Sequence, residues 1–232
     1  MPNAVLTRDD VAAYSAALSR LGLETIAMPV TRTAPPPDPG ALASALAQHW
    51  AAIVVASARA AAAVAAAGTP HGEVWAVGPA TLRALADGGI GATYPSGAHD
   101  GESLAKAIVA SRSIQGKRVL VPRSETGRAE AADILRAAGA EVVEVIAYRT
   151  IAAGPVDVDR LRDAAVCVVF APSQVSALTA QLRLADLLTR FVAIGETTAA
   201  ALRNAGVDPV VADAPTPEGI ARAVGSVYPP RS

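Results

Sequence analysis

Small polar residues recur at one kind of place in this 232-residue chain, directly after a short apolar run and ahead of an alanine- or leucine-rich stretch. Arg8 follows Ala4–Thr7, Ser57 follows Ile53–Ala56, and Thr81 stands three positions past Gly78 behind Val74–Val77. In the second half Arg123 follows Arg118–Val121, Ser173 follows Val166–Phe170, and Thr197-Thr198 follow Gly195 behind Phe191–Ile194. If these places are strand-to-helix junctions, they bring hydroxyls, guanidinium groups and the free N–H groups of first helical turns to one edge. That chemistry suits anions, carboxylates above all. Each residue alone has a local explanation. A Ser or Thr there is a helix cap worth about 1 kcal/mol, Gly78 and Gly195 serve tight turns, and Arg8 and Arg123 are solvated charges. Their joint recurrence is what favours a binding rim.

The recurrence has a period. Residues 74–86 return in outline at 191–203, so that Gly78 and Gly195 lie 117 positions apart, as do Gly22 and Gly139. Arg8 answers Arg123 at 115, and Glu102 answers Glu218 at 116. A repeat unit of this length is a domain, and two like-folded domains imply a cleft between copies.

Between the rims run the elements that must position them. Strand candidates are Ala4–Thr7, Thr25–Val30, Ile53–Ala56, Val74–Val77, Ala92–Tyr94, Arg118–Val121, Val142–Tyr148, Val166–Phe170, Phe191–Ile194 and Pro209–Ala212. Apolar residues at helical spacing separate them, as in Val11, Tyr14, Leu18 and Leu21, or Ala131, Ile134, Leu135 and Ala138 before Gly139. Alternation of this kind predicts an α/β protein with parallel sheets covered on both faces, ten strands making two doubly wound lobes of flavodoxin-like type. Pro29–Asp38 and Arg149–Pro155 read as connections between lobes. Periodicity leaves two partitions open: consecutive halves, or a chain that leaves the first lobe near residue 31 and returns near 152.

Composition narrows the chemistry. Hydrophobic residues make up 52% and aromatic residues 3%, which favours close helix-on-sheet packing and disfavours a sugar- or base-stacking surface. A net charge of −1 offers no field for nucleic acid or an acidic membrane. His49, His71 and His99 lack carboxylate or thiol neighbours at ligand spacing, so no metal is expected. Cys167 lies in an apolar run and reads as a small buried hydrophobe. The first ten residues show no export pattern and no run approaches membrane-spanning length, so a cytoplasmic protein is expected, a monomer by default. There is no Walker-type loop and no strand followed by Gly-x-Gly-x-x-Gly. A receiver domain fails because the third candidate strand leads to Ser57 where an aspartate is needed.

The ordered series Val5–Arg8, Val54–Arg59, Ala76–Thr81, Val119–Arg123 with Gly127-Arg128, Gly139–Val142, Ala147–Thr150, Phe170–Ser173, Ala193–Gly195 and Pro215–Gly219 resembles the uroporphyrinogen-III synthase family over nearly the whole chain. The resemblance implies two flavodoxin-like domains joined by a two-stranded linker. One is discontinuous (1–31 and 153–232), the other runs 35–147, and linkers lie near 31–35 and 147–153. It implies closure of hydroxymethylbilane, a linear tetrapyrrole, to uroporphyrinogen III with inversion of ring D and loss of water, in an interdomain cleft and without a cofactor. The implied steps are an azafulvene-type cation, attack at the substituted position of ring D, a spiro pyrrolenine, and reclosure. Orientation is then the main task of the protein. By position, the substrate carboxylates fall to Ser57, Thr81, Ser173, Thr197 and Thr198, with Arg8 and Arg123 as charge partners. Tyr148 matches a family tyrosine proposed as general acid. A phenol, with a reference pKa of about 10, carries its proton at neutral pH. Handover from hydroxymethylbilane synthase is the implied partner step.

The chain departs from the family pattern at Asp9, Arg59 and Glu196, and Glu196 is awkward beside a carboxylate-binding rim. These departures keep open a catalytically inactive member that acts as a ligand-binding or regulatory module. A periplasmic-type binding protein is the other rival, opposed by the absence of an export signal and the scarcity of aromatic residues.

Overall fold

Short apolar stretches, rich in valine, run through the inner strands of two sheets. The computed structural model describes residues 2–228. Its strands are β1 (Asn3–Leu6), β2 (Glu24–Ala27), β3 (Thr31–Ala34), β4 (His49–Val55), β5 (His71–Ala76), β6 (Arg118–Ser124), β7 (Glu141–Ala152), β8 (Val166–Val169), β9 (Arg190–Ala193) and β10 (Val210–Val211). They lie in the orders β2-β1-β8-β9-β10 and β3-β7-β6-β4-β5. The pairings β1-β2, β1-β8, β8-β9 and β9-β10, and likewise β4-β5, β4-β6 and β6-β7, are parallel. The first order is that of a flavodoxin-like sheet, 2-1-3-4-5.

The long sequence repeat has a structural counterpart. β7-β6-β4-β5 matches β2-β1-β8-β9, and the last place is filled in parallel fashion in both sheets. Val210 pairs with Val192 at the edge of one, and Thr93 bridges Trp75 at the other, each pair shifted by the same 117 positions. Gly22 and Gly139 end α1 (Ala12–Ser19) and α6 (Glu130–Ala137), with φ of 73° and 84°. That left-handed conformation is the one that glycine adopts without a steric penalty.

The two compact units are the segments up to Arg32 and from Ile151, and the stretch Thr33–Thr150. The chain passes from one to the other inside β3 and inside β7, which are neighbours in the second sheet. Within each unit the strands alternate between two cores, one on each face. On β8, Val166 and Val168 join one cluster while Cys167 and Val169 join the other. On β4, Ala52 and Val54 face one way and Ile53 and Val55 the other. All eight are fully buried. This is the two-sided burial that continuous apolar strands require. Ala60, Ala61 and Val64 of α3 (Ala58–Ala67) lie in the Ile53–Val55 cluster, alanine allowing the helix to lie close.

Among the described residues there are ten strands in two fives, but their membership differs from the sequence reading. Ala92–Tyr94 makes one bridge rather than a strand, because Gly91 and Pro95 leave room for a single pair. The fifth strand of that sheet is β3, inside the stretch Pro29–Asp38 read as a connection. β7 likewise runs on to Ala152 through residues read as connecting chain.

Candidate functional site

A doubly wound sheet leaves a crevice at its switch point, beyond the carboxyl ends of the two strands whose connections depart in opposite directions. In the 33–150 unit those strands are β4 and β6. A crevice of about 170 Å³ lies there, lined by Ala56 and Ser57 after β4, Val121–Ser124 on β6, Gly127 and Arg128, Asp100–Glu102 at the start of α5 (Gly101–Ser111), and Tyr148. Pockets that bury a whole drug-sized ligand run from roughly 300 Å³. This one has room for part of a large ligand.

Ser57 is the N-cap of α3, its Oγ accepting from the Ala60 N–H at 3.1 Å. The same Oγ lies 3.4 Å from the Tyr148 hydroxyl. That separation is longer than a normal O–H···O hydrogen bond, so neither hydroxyl saturates the other and both remain able to meet a ligand. Tyr148 reaches this place because the β6-β7 register slips by one residue: Arg123 pairs with Ile146, but Ser124 pairs with Tyr148. Strict alternation would put Tyr148 on the opposite face from Val145 and Ala147. The slip lets it pack against the same cluster as both. Tyr148 also lines a shallow hollow with Thr33, Ala34, Pro35, Arg59, Ala62, Ala63 and Ala147.

Arg123 is turned inward. Its Nε pairs with Glu144 Oε2 at 2.5 Å, and its Nη1 donates to the carbonyls of Ser124, Glu125 and Gly127 at 3.0, 3.3 and 3.3 Å. Glu144 also accepts from Arg136 at 2.6 Å. Burial opposes ionisation of Glu144, but the hydrogen bond from Arg136 and the Arg123 charge outweigh it and hold the carboxyl below its usual range. Asp100 closes a capping box with Ser103, whose hydroxyl and N–H keep its carboxyl low. Thr81, in the first turn of α4 (Gly78–Asp87), is only 3% exposed.

The other unit has its switch point between β1 and β8. There Gln174, in α8 (Pro172–Thr179) and buried, clamps the two strand ends. It receives the Thr7 hydroxyl at 2.6 Å and the Phe170 N–H at 2.8 Å, and donates to the Thr7 carbonyl at 2.8 Å. Arg8 lies over the rings of Tyr14 and Phe170, 5.2 and 5.1 Å from their centroids, and donates to the Tyr14 hydroxyl. Ser173 is half-buried in the first turn of α8, with Pro172 before it. Thr197 is exposed in the first turn of α9 (Glu196–Asn204), whereas Thr198 is 3% exposed, the counterpart of Thr81 at 117 positions. Glu196 pairs with Arg203 of its own helix, which offsets its charge at the rim.

Ser57, Arg123 and Tyr148 therefore share one crevice, while Arg8 and Ser173 follow the two switch-point strands of the other unit. Sequence reasoning missed Glu144 and passed over Gln174. A lone carboxylate within Val142–Ile146 was the signal for the first. Cys167 is fully buried, which pushes its thiol up to about 12. Among the described residues no three His, Cys, Asp or Glu side chains gather as a metal site, and no helix is long and apolar enough to cross a membrane.

No curated protein matches the chain. Among solved structures, a mutant uroporphyrinogen III synthase from Thermus thermophilus is 21% identical with a TM-score of 0.62, covering 97% of this chain and 100% of its own. The uroporphyrinogen-III synthetase of Helicobacter pylori is 15% identical with a TM-score of 0.65, covering 98% and 100%. At these identities the likeness concerns the fold of two parallel-dominated five-stranded sheets. The family model described as uroporphyrinogen-III synthase HemD matches residues 12–222, most of the chain. On that match, and with the strand order and switch-point crevice it accompanies, this chain belongs to the uroporphyrinogen-III synthase family.

Proposed function

We propose that the chain is a lyase of the cytoplasm that closes hydroxymethylbilane to uroporphyrinogen III. The observation that carries this reading is the placing of the Tyr148 and Ser57 hydroxyls together at a switch-point crevice in a member of this family. Tyr148 donates its proton to the departing hydroxymethyl oxygen, so that the C–O bond breaks and water leaves. The azafulvene-type cation attacks the substituted carbon of ring D. The spiro pyrrolenine fragments and recloses with ring D inverted, and the proton lost on rearomatisation returns to the phenolate. The pyrroles are electron-rich enough to expel the hydroxyl themselves, so the protein acts chiefly by orientation.

Carboxylates of the substrate are held at the starts of α3, α8 and α9, through Ser57, Ser173 and Thr197 and the N–H groups beside them. Buried Thr81 and Thr198 lie beneath the first turns of α4 and α9. Arg8 offers its remaining guanidinium edge. Free hydroxymethylbilane closes unassisted to the uninverted isomer, which favours direct handover from hydroxymethylbilane synthase. Purified protein given freshly made hydroxymethylbilane is expected to yield mainly the type III isomer, read after oxidation to porphyrin. Type I alone, at the uncatalysed rate, overturns the reading.

A further inference from the structure

Glu144 has two arginine partners and stands on the strand that carries Tyr148. Its side chain is 18% exposed. Beyond it, the Arg123 guanidinium gathers three carbonyls of the turn Ser124–Gly127, and this turn lines the crevice. The turn is closed on itself by the Gly127 N–H, which donates to the Ser124 carbonyl at 2.9 Å. It is also fastened to the catalytic strand, because the Glu125 N–H donates to the Tyr148 carbonyl at 3.1 Å. The route from Glu144 to Tyr148 is thus a carboxylate, a guanidinium, three carbonyls and one amide, all within the 33–150 unit. It crosses the register slip that aims Tyr148. With Nε against the Glu144 carboxylate and Nη1 shared among the three carbonyls, Arg123 is set to hold its own loop, since each donor given to the turn is one withheld from a ligand.

We propose that Glu144 is a positioning residue, acting through Arg123 to hold the Ser124–Gly127 turn and with it the Tyr148 hydroxyl opposite Ser57. This rests on the reading of Tyr148 as proton donor. Loss of the Glu144 charge frees Arg123, loosens the turn, and lets the substrate close in more than one orientation.

Glu144→Gln keeps the size and polarity of the side chain and removes its charge. Two readouts on the full chain decide the matter. Amide exchange at Glu125 and Gly127 is expected to quicken roughly tenfold while Val119 and Leu120 in β6 keep their protection. The ratio of type III to type I product is expected to fall severalfold. Arg123→Ala is expected to do both, and the double variant no more than the worse single one. Unchanged exchange at the turn, a uniform rise across β6 and the turn, or unchanged isomer ratio with a loosened turn each overturns the proposal. If the unaltered protein makes only type I product, the functional reading fails separately, and a turn left protected in Glu144→Gln still refutes the clamp.

Discussion

The hydroxyls of Ser57 and Tyr148 stand 3.4 Å apart, although 91 positions of sequence separate the residues. One is fixed by capping α3, the other by a single slipped residue in β7. Because the contact is long, removing the phenol hydroxyl takes little from stability. Tyr148→Phe is expected to lower turnover by about 100-fold, the low end for a positioned general acid because the pyrroles already help to expel the hydroxyl, and to leave the unfolding free energy within about 0.5 kcal/mol. Initial rates and denaturant titration check it. A matching loss of folding would assign Tyr148 to packing alone.

Ser57 has two duties that substitution separates. Ser57→Ala is expected to cost about 1 kcal/mol through the lost cap. Ser57→Asp keeps the cap but sets a negative charge beside an acidic substrate. Its stability should match the unaltered protein while the KM for hydroxymethylbilane rises. A KM as low as that of the parent would count against carboxylate binding at this turn.

The two equivalent helix-ending glycines are not equally replaceable. Alanine at Gly22 meets no atom within 4 Å and bears only the left-handed backbone penalty, about 1–2 kcal/mol. Alanine at Gly139 adds a Cβ 3.1 Å from Gln115 Cγ. Gly139→Ala should therefore unfold at lower denaturant than Gly22→Ala. The reverse order would contradict the helix ends described above.

Acid should weaken the 33–150 unit through Glu144. A carboxyl held below its ordinary value of 4.5 contributes stability that is complete above that pH. The contribution fades as pH falls through 4.5 and on through the folded value. The stability gap between the unaltered protein and Glu144→Gln is thus expected to be widest near neutrality and to shrink in acid. Unfolding curves from neutral pH down to about pH 3 measure it. A gap that does not vary with pH would show that the charge contributes nothing.

Cys167, whose thiol is pushed up to about 12 in the centre of β8, should resist alkylation in the folded protein. It is expected to react with iodoacetamide only at the rate of unfolding, followed by mass. Rapid labelling of native protein would mean that the core facing Phe191 and Leu178 opens readily.

How far these features could be read from residues alone depends on how local their causes are. β8 was legible because four consecutive apolar residues buried on both faces need no partner to be recognised. The helix-ending glycines were legible because left-handed backbone has few other occupants. β3 was not: Thr31 and Thr33 lie among prolines, and only the neighbouring β7 makes them a strand. α3 carries too much alanine to show an apolar face. In the candidate site, Ser57 and Tyr148 were named from position. The Arg123–Glu144 pair was not legible, because the two residues stand on different strands and no spacing rule joins them. The burial of Thr81 and Thr198 likewise follows from packing over a first turn and not from residue type.

The crossing of the chain inside β3 and β7 has a consequence for biogenesis. Thr33–Thr150 is one uninterrupted stretch, so its sheet can be completed while later residues are still emerging from the ribosome. β1, by contrast, leaves the tunnel long before β8, the strand that covers its open edge. Until residues past Ile151 are made, a nascent chain carries β1 and β2 as an unfinished template with bare backbone groups along one side. Chaperone capture and stalled-synthesis aggregation should therefore concentrate on that early segment.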